Sequence, residues 1–330
     1  MDLATTYLGL TLKHPIVASA SPLAREVDGI VALARAGAAA IVLPSVYQEE
    51  VEAEDAAMVD LMEHGSLAQP EAAEYFAGYA APVGALEARI ETLRRAASAC
   101  DVPIIASVNG STPSGWGEFA HELENAGASA IELNLYRVPA DGSQSAADVE
   151  AQWLETVRTV KGAVSVPLAV KIGPWLTSPA HFAASLKDAG ADGIVLFNRF
   201  YEPDIDLDRL MPKPDLELST SSEIRQALLW IALLAGRHEV SLAATSGVTG
   251  PEEVVKYLLA GADVVMTTSA LLRNGPEYLA TLVAGLEAWM ERRGFASVEE
   301  VRGKLAARRL ADPEAYVRAQ YIRILTGYGR

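Results

Sequence analysis

The sequence feature that most constrains the fold is a repeated alternation of a short apolar run and an alanine-rich amphipathic segment. The apolar runs span residues 14–19, 39–44, 103–108, 130–135, 167–172, 193–197, 240–245 and 263–267. Each run is apolar at consecutive positions, which is typical of strands that are buried on both faces of a parallel sheet. The pattern predicts an α/β protein that is built from strand–helix units.

Four of these runs follow an Ala-Gly-Ala tripeptide, at residues 36–38, 126–128, 189–191 and 260–262. The glycine is predicted to end the preceding helix in the left-handed conformation, so that the next strand begins at once. The number of units in 330 residues favours a (β/α)8 TIM barrel, which typically takes about 250 residues plus insertions. The alternative is a doubly wound open sheet, but its G-x-G-x-x-G fingerprint is missing after the first run.

Two stretches interrupt the alternation and predict insertions after strands 2 and 6, at residues 46–82 and 199–222. Both would lie at the carboxyl ends of their strands, where barrel enzymes build their active sites. We expect the barrel domain to span residues 1–294. Residues 295–330, which are rich in arginine, are expected to form a C-terminal helical extension packed on the barrel.

The composition excludes several classes of function. With 43 acidic and 27 basic residues and a net charge of −16, the chain is a poor candidate for binding nucleic acid. The single cysteine excludes an internal disulfide and any cysteine-based zinc or iron–sulfur centre. No apolar run approaches the roughly 20 residues of a membrane helix, and the first residues do not form a signal peptide. We therefore expect a cytoplasmic protein with a small-molecule substrate. Neither a membrane nor a metal ion is expected to take part in its function.

In a barrel, functional side chains follow the carboxyl ends of the strands. The residues at these positions are small and polar, and they are short of carboxylates, so a glycosidase with two catalytic acids is excluded. The five histidines are scattered without a pair, and each is expected to be structural or exposed rather than catalytic.

Lys171 is the exception among these positions, because it places a cation in the apolar strand 168–172. An unpaired buried ammonium is costly, so we expect Lys171 to face an anionic or polar ligand. An ion pair with Glu132 on the neighbouring strand is the structural alternative.

Small residues follow the last two strands, as Ser246-Gly247 and Thr268-Ser269. Free backbone N–H groups in this region form the usual phosphate site of such barrels. The sequence therefore predicts a phosphorylated cofactor over the barrel mouth, with Lys171 near the electron-rich end of that cofactor.

Several segments together resemble the soluble class 1 form of the dihydroorotate dehydrogenase family of FMN-dependent barrels. They are residues 8–20, 131–135, 170–172, 197–198, 245–248 and 269–271, and the resemblance covers about residues 3–294. It implies that FMN is held by its phosphate at Ser246, Gly247, Thr268 and Ser269. It also implies an isoalloxazine ring near Ala18, Ser19, Ser45, Asn109, Lys171 and Asn198, and a substrate that contacts Asn134 and Asn198.

The chain departs from the family where the family binds and deprotonates its substrate. The family's base cysteine corresponds to Arg137, a substrate-binding asparagine to Pro139, and a lysine after strand two to Pro44. Arginine stays protonated and cannot readily act as a general base, so we expect little activity on dihydroorotate and little role in pyrimidine biosynthesis. Tyr136 is then a candidate for proton transfer, and Arg137 a candidate for clamping a substrate carboxylate.

The resemblance implies hydride transfer between flavin N5 and a small substrate that can carry a carboxylate. Two other functions stay open at this stage. One is a catalytically lapsed flavin-binding or partner subunit, and the other is an aldolase or isomerase that uses Lys171 as a Schiff base. A homodimer and a protein electron acceptor are the expected partners.

Overall fold

The structure is a computed structural model that describes residues 1–47, 84–109, 116–199, 204–213, 217–309 and 326–327. Its strands are β1 Thr5–Tyr7, β2 Leu10–Leu12, β3 Ile16–Ala18, β4 Ile41–Val42, β5 Val46–Tyr47, β6 Ile104–Asn109, β7 Ala130–Asn134, β8 Leu168–Ile172, β9 Gly193–Leu196, β10 Asp204–Asp206, β11 Met211–Lys213, β12 Ser241–Ala244 and β13 Val264–Thr267. Its α-helices are α1 Val27–Arg35, α2 Ala85–Ala99, α3 Trp116–Asn125, α4 Ala146–Ala163, α5 Pro179–Asp188, α6 Ile224–Leu234, α7 Pro251–Ala260, α8 Ser269–Asn274, α9 Tyr278–Arg293 and α10 Val298–Val301.

Parallel pairing closes the main sheet into a barrel. The strand order is β4-β3-β13-β12-β9-β8-β7-β6-β5, and β4 also pairs with β6. Because β4 and β5 both pair with β6, they form two parts of one barrel position, and eight positions result. The predicted (β/α)8 TIM barrel is therefore confirmed, and each predicted apolar run overlaps one of its strands.

The two predicted insertions and the extension are described only in part. Of the insertion after strand two, residues 48–83 lie outside the described residues. After β9, the described chain includes the antiparallel pair β10–β11, which is exposed at Ile205 and Leu210. In the C-terminal segment, Arg302 forms an ion pair with Asp263, and the amide of Gly303 donates to Leu258 O at 2.8 Å. These contacts attach residues 302–303 to the amino end of the barrel.

Alternation along the strands divides the apolar residues into two clusters. One lies between the sheet and the surrounding helices, and it includes Ile131, Leu133 and Val170. The other lies inside the barrel, where Ala130, Ala169 and other small residues meet the side chains of the β1–β2 hairpin. This hairpin closes the amino end of the barrel, so the carboxyl end is the open mouth.

The glycines of the Ala-Gly-Ala tripeptides all have positive φ, as predicted from the sequence. At Gly261 φ is +119°, and the amide donates to Tyr257 O at 3.1 Å, which ends α7 in a left-handed cap. A Cβ at this position would lie 2.4 Å from the Cβ of Ala235. The turn therefore requires glycine for its conformation and for its packing.

No helix within the described ranges is both long and apolar enough to cross a bilayer.

His14 has the structural role that the sequence predicts. It is 6% exposed, its Nε2 donates to Gly37 O at 2.7 Å, and its Nδ1 accepts from the amide of Ile16 at 3.2 Å. Burial lowers the pKa of His14 from 6.5 to about 4. A proton on Nδ1 would face the N–H group of Ile16, which is itself a donor. The folded state therefore favours the neutral imidazole.

This geometry predicts an acid-sensitive contribution to stability. His14 contributes fully above pH 6.5, the pKa of an unfolded chain, and the contribution is lost as the pH falls toward 4. When the pH is lowered from 7.5 to 5.0, the free energy of unfolding of the wild type should fall by about 2 kcal/mol more than that of His14→Gln, as measured by urea denaturation. The control is His181→Gln, at an exposed position on α5, which should keep the wild-type slope. Equal slopes for all three proteins would contradict the assignment.

Candidate active site

Two of the cavities at the carboxyl ends of the barrel strands adjoin each other. The first has a volume of about 290 Å³ and the second about 320 Å³. Ala20, Pro22, Lys171 and Asn198 line both of them, so the two cavities meet at these residues. The mouth therefore offers one continuous, two-part site.

Most of the residues predicted from the sequence line these cavities. Ser19, Ser246, Gly247, Thr268 and Ser269 line the first, Ser45 and Asn134 line the second, and Lys171 and Asn198 are shared. Ala18, Asn109, Tyr136 and Arg137 line neither of the two. Barrel closure is what brings the first group together, because their strands are up to about 250 residues apart in the chain.

Strand register orders the polar residues on one side of the mouth. Asn134 lies opposite Asn109 on β6 and opposite Lys171 on β8. The Nδ2 of Asn198 donates to Oδ1 of Asn134 at 3.0 Å, which fixes both amide planes. Each amide has more hydrogen-bonding capacity than this one bond uses, so the pair can also bind a ligand. Beside them, the hydroxyls of Ser45 and Ser107 are hydrogen bonded at 2.7 Å.

The loop after β12 has an unusual backbone at the first cavity. Ser246 and Gly247 are consecutive residues with φ of 76° and 70°. The hydroxyl of Tyr257 donates to Ser246 O at 2.9 Å and to Thr245 O at 3.2 Å, which holds the loop on α7. Positive φ is uncommon at a residue other than glycine, and backbone strain of this kind clusters at active sites and ligand-binding sites.

Ser219, which lines the first cavity, and Arg273, which holds the chain at Ser219, were not predicted from the sequence. The hydroxyl of Ser219 donates to Oγ of Ser269 at 2.9 Å and accepts from the amide of Gly247 at 3.3 Å. Arg273 donates to Ser219 O at 2.9 Å and to Leu218 O at 2.7 Å, which anchors this segment over the cavity. The available signal was the spacing of Arg273, one helical turn after Ser269 on α8.

Lys171 forms the ion pair that was the structural alternative, and it also lines the cavities where a ligand was expected. Its Nζ lies 3.6 Å from Oε1 of Glu132 on the adjacent strand, so the ion pair is present. The same side chain is 11% exposed and lines both cavities. The ion pair therefore lies where the barrel interior meets the mouth.

Arg137 was predicted to bind a substrate carboxylate, but its guanidinium is hydrogen bonded to two glutamines. Its guanidinium donates to Oε1 of Gln152 at 3.0 Å and to Oε1 of Gln144 at 3.1 Å. Arg25 and Arg89 line the second cavity instead, and sequence reasoning missed them because they do not follow a strand directly. The second cavity thus has arginines from the chain after β3 and from α2, in addition to Lys171 from β8.

Comparisons with known proteins show the family of this chain. A family model described as dihydroorotate dehydrogenase matches residues 2–290. The catalytic subunit of dihydroorotate dehydrogenase B (NAD(+)) from Methanothermobacter thermautotrophicus is 27% identical over 311 residues, covering 91% of this chain and 97% of the relative. The subunits of the same name from Caldicellulosiruptor saccharolyticus and Bacillus pumilus are 24% and 32% identical. They cover 92% and 62% of this chain, and 99% and 67% of the relatives.

The chain belongs to the dihydroorotate dehydrogenase family, a family of FMN-dependent oxidoreductases. The resemblance drawn from the sequence segments is confirmed by this match.

The loop after β12 predicts a measurable sensitivity at Gly247. A Cβ there would lie 2.8 Å from the amide nitrogen of Ile224 and 2.9 Å from Thr220 O, both backbone atoms. Gly247→Ala is expected to lower the free energy of unfolding by about 1–3 kcal/mol, as measured by urea denaturation. Gly162→Ala is the matched control, because its Cβ would meet nothing within 4 Å on an exposed helix position. If both variants had the same stability, the loop would not be sterically constrained.

Proposed function

We propose that this protein is an FMN-dependent oxidoreductase that transfers hydride between flavin N5 and a small carboxylated substrate. The observation that carries the proposal is the pair of adjoining cavities that share Lys171 and Asn198. One cavity has the small, concave rim that suits a phosphate, and the other is lined by amides and arginines. Together they suit a long phosphorylated cofactor with a substrate beside its ring.

The residues of the first cavity fit the phosphate of FMN. Ser246, Gly247, Thr268 and Ser269 line this cavity and are the proposed phosphate-binding residues. Arg273 and Ser219 hold the segment that covers this cavity. Ser19, Ser45, Lys171 and Asn198 are the proposed neighbours of the isoalloxazine, and Ala18 and Asn109 support that ring from the strand ends.

The protein contributes orientation and charge to the reaction. Bound FMN would supply the redox chemistry at N5, since the flavin carries the reactive atoms. The Asn134–Asn198 pair would orient a planar substrate by amide hydrogen bonds. Lys171 would hold positive charge beside the ring, where reduction adds electron density.

We further propose that Arg25 and Arg89 bind the substrate carboxylate. Both line the second cavity, and none of the described residues that line it is an aspartate or a glutamate. Arg137 is a weaker candidate for this role, because it lines neither of the two cavities. Tyr136 is the proposed proton-transfer residue, since it lies two residues after Asn134 on the strand-end loop.

A homodimer and a protein electron acceptor are the proposed partners. The second proposal is supported by the relatives, which are named as catalytic subunits.

The proposal predicts that the protein binds FMN and distinguishes it from riboflavin. Flavin-free protein should quench the fluorescence of FMN on binding, with about 100-fold higher affinity for FMN than for riboflavin, because charge-assisted hydrogen bonds at the first cavity require the phosphate. Ser269→Ala should reduce this preference. The control Ser98→Ala, at an exposed position of α2, should leave it unchanged. Equal affinities for the two flavins would refute the phosphate assignment.

The missing base cysteine predicts slow reduction by dihydroorotate. In anaerobic stopped flow, bleaching of the flavin band by dihydroorotate should be slower by about 10²–10⁴-fold than with a positioned base. Arg137→Cys restores a thiol at this position and should raise the rate, whereas Arg137→Ala should not. Wild-type turnover in the usual range of about 1–10³ s⁻¹ would show that another residue serves as the base.

A further inference from the structure

The most unusual group outside the cofactor and substrate contacts is the carboxylate of Glu132. It lies on β7 two residues before Asn134, with its side chain 1% exposed inside the barrel. Among the described residues, neither Oε1 nor Oε2 has a hydrogen-bond partner. A buried carboxylate without such partners is expensive, so the fold retains it against a considerable cost.

The charged group nearest to this carboxylate in the described structure is the ammonium of Lys171. The separation of 3.6 Å is that of an ion pair but is too long for a strong hydrogen bond. The ammonium of Lys171 therefore lies between the carboxylate of Glu132 and the proposed ligand site. Glu132 is below it in the barrel, and the two cavities that it lines are above it.

Among the described residues, the ion pair that Glu132 forms is the one with Lys171. Small apolar residues such as Ala130, Ala169 and Val195 line the interior around this pair, and Tyr7 from the β1–β2 hairpin enters from the amino end. Burial, together with the Glu132 carboxylate, raises the pKa of Tyr7 well above its usual value, so the phenol stays neutral. Within the described part of the barrel, the charge of Glu132 is thus balanced by Lys171 alone.

We propose that Glu132 is a positioning residue that fixes the ammonium of Lys171 at the junction of the two cavities and sets how much of its positive charge a bound flavin experiences. This inference rests on the proposed function. A ring reduced by two electrons carries more negative charge than the oxidised ring, and charge near the ring tunes its electronics. Glu132 offsets part of the Lys171 charge, so it should lower the potential of the bound flavin.

The first arm of the test needs no flavin. In flavin-free protein, Glu132→Gln and Lys171→Met should each lower the thermal midpoint by several degrees, since each leaves one buried charge unpaired. The double variant should recover most of that loss. Additive losses would overturn the pairing. If one single variant does not fold, folding of the double variant still demonstrates the coupling, and failure of the double variant as well would count against it.

The second arm measures the potential of the bound flavin. Glu132→Gln should increase the preference for reduced over oxidised FMN about tenfold, which is a rise of about 30 mV for a two-electron couple. Tyr7→Phe is the matched control, because it removes a buried, unpartnered hydroxyl in the same interior without changing charge. It should leave the potential unchanged.

The two arms separate the inference from the function on which it rests. Coupled stabilities with an unchanged potential in Glu132→Gln would overturn the positioning role and leave only a structural pair. Wild-type protein that takes up no FMN would contradict the proposed function, and the flavin-free arm would then decide the Glu132–Lys171 pairing by itself.

Discussion

Closure of the parallel sheet is the constraint on which the rest of the structure depends. Pairing of β3 with β13 and of β4 with β6 leaves no open edge on either side, and it gathers the carboxyl ends of all the barrel strands at one mouth. Residues as distant as Ser19 and Ser269 can line one cavity only because the barrel closes between them. The β1–β2 hairpin closes the other end, so a ligand has access from the mouth.

Inside that closed barrel, register decides which polar groups meet. Side chains alternate between the helix-facing and interior sides, so Glu132 and Asn134 both point inward while Ile131 and Leu133 pack under the helices. A shift of one residue in the β7–β8 register would exchange these faces and bury the polar set under apolar helices. The position of Lys171 opposite Asn134 is thus enforced by the apolar core on the outer side of the sheet.

Long-range side-chain contacts build the remainder of the site. Arg273 holds the carbonyls of Leu218 and Ser219, and Ser219 in turn bonds Ser269 and Gly247. This small network joins the chain before α6 to the loop after β12 and to α8. It gives the first cavity a wall that does not depend on the barrel strands. In the second cavity, Arg25 and Arg89 likewise come from elements outside the sheet.

The sequence by itself determined the barrel and most of its mouth. Apolar runs identify strands because burial on both faces demands them, and the residues after those runs, from Ser19 to Ser269, then follow from topology. It also indicated that each histidine is structural or exposed and that Lys171 is exceptional. Only the tertiary structure decided that Gln144 and Gln152 engage Arg137 and that Arg273 holds Ser219 at the first cavity. The same is true of Arg25 and Arg89, which line the second cavity. The physical reason is that periodicity along the chain reports which side of an element is buried. Which distant side chain occupies a given space depends instead on how loops and helices pack across the closed barrel.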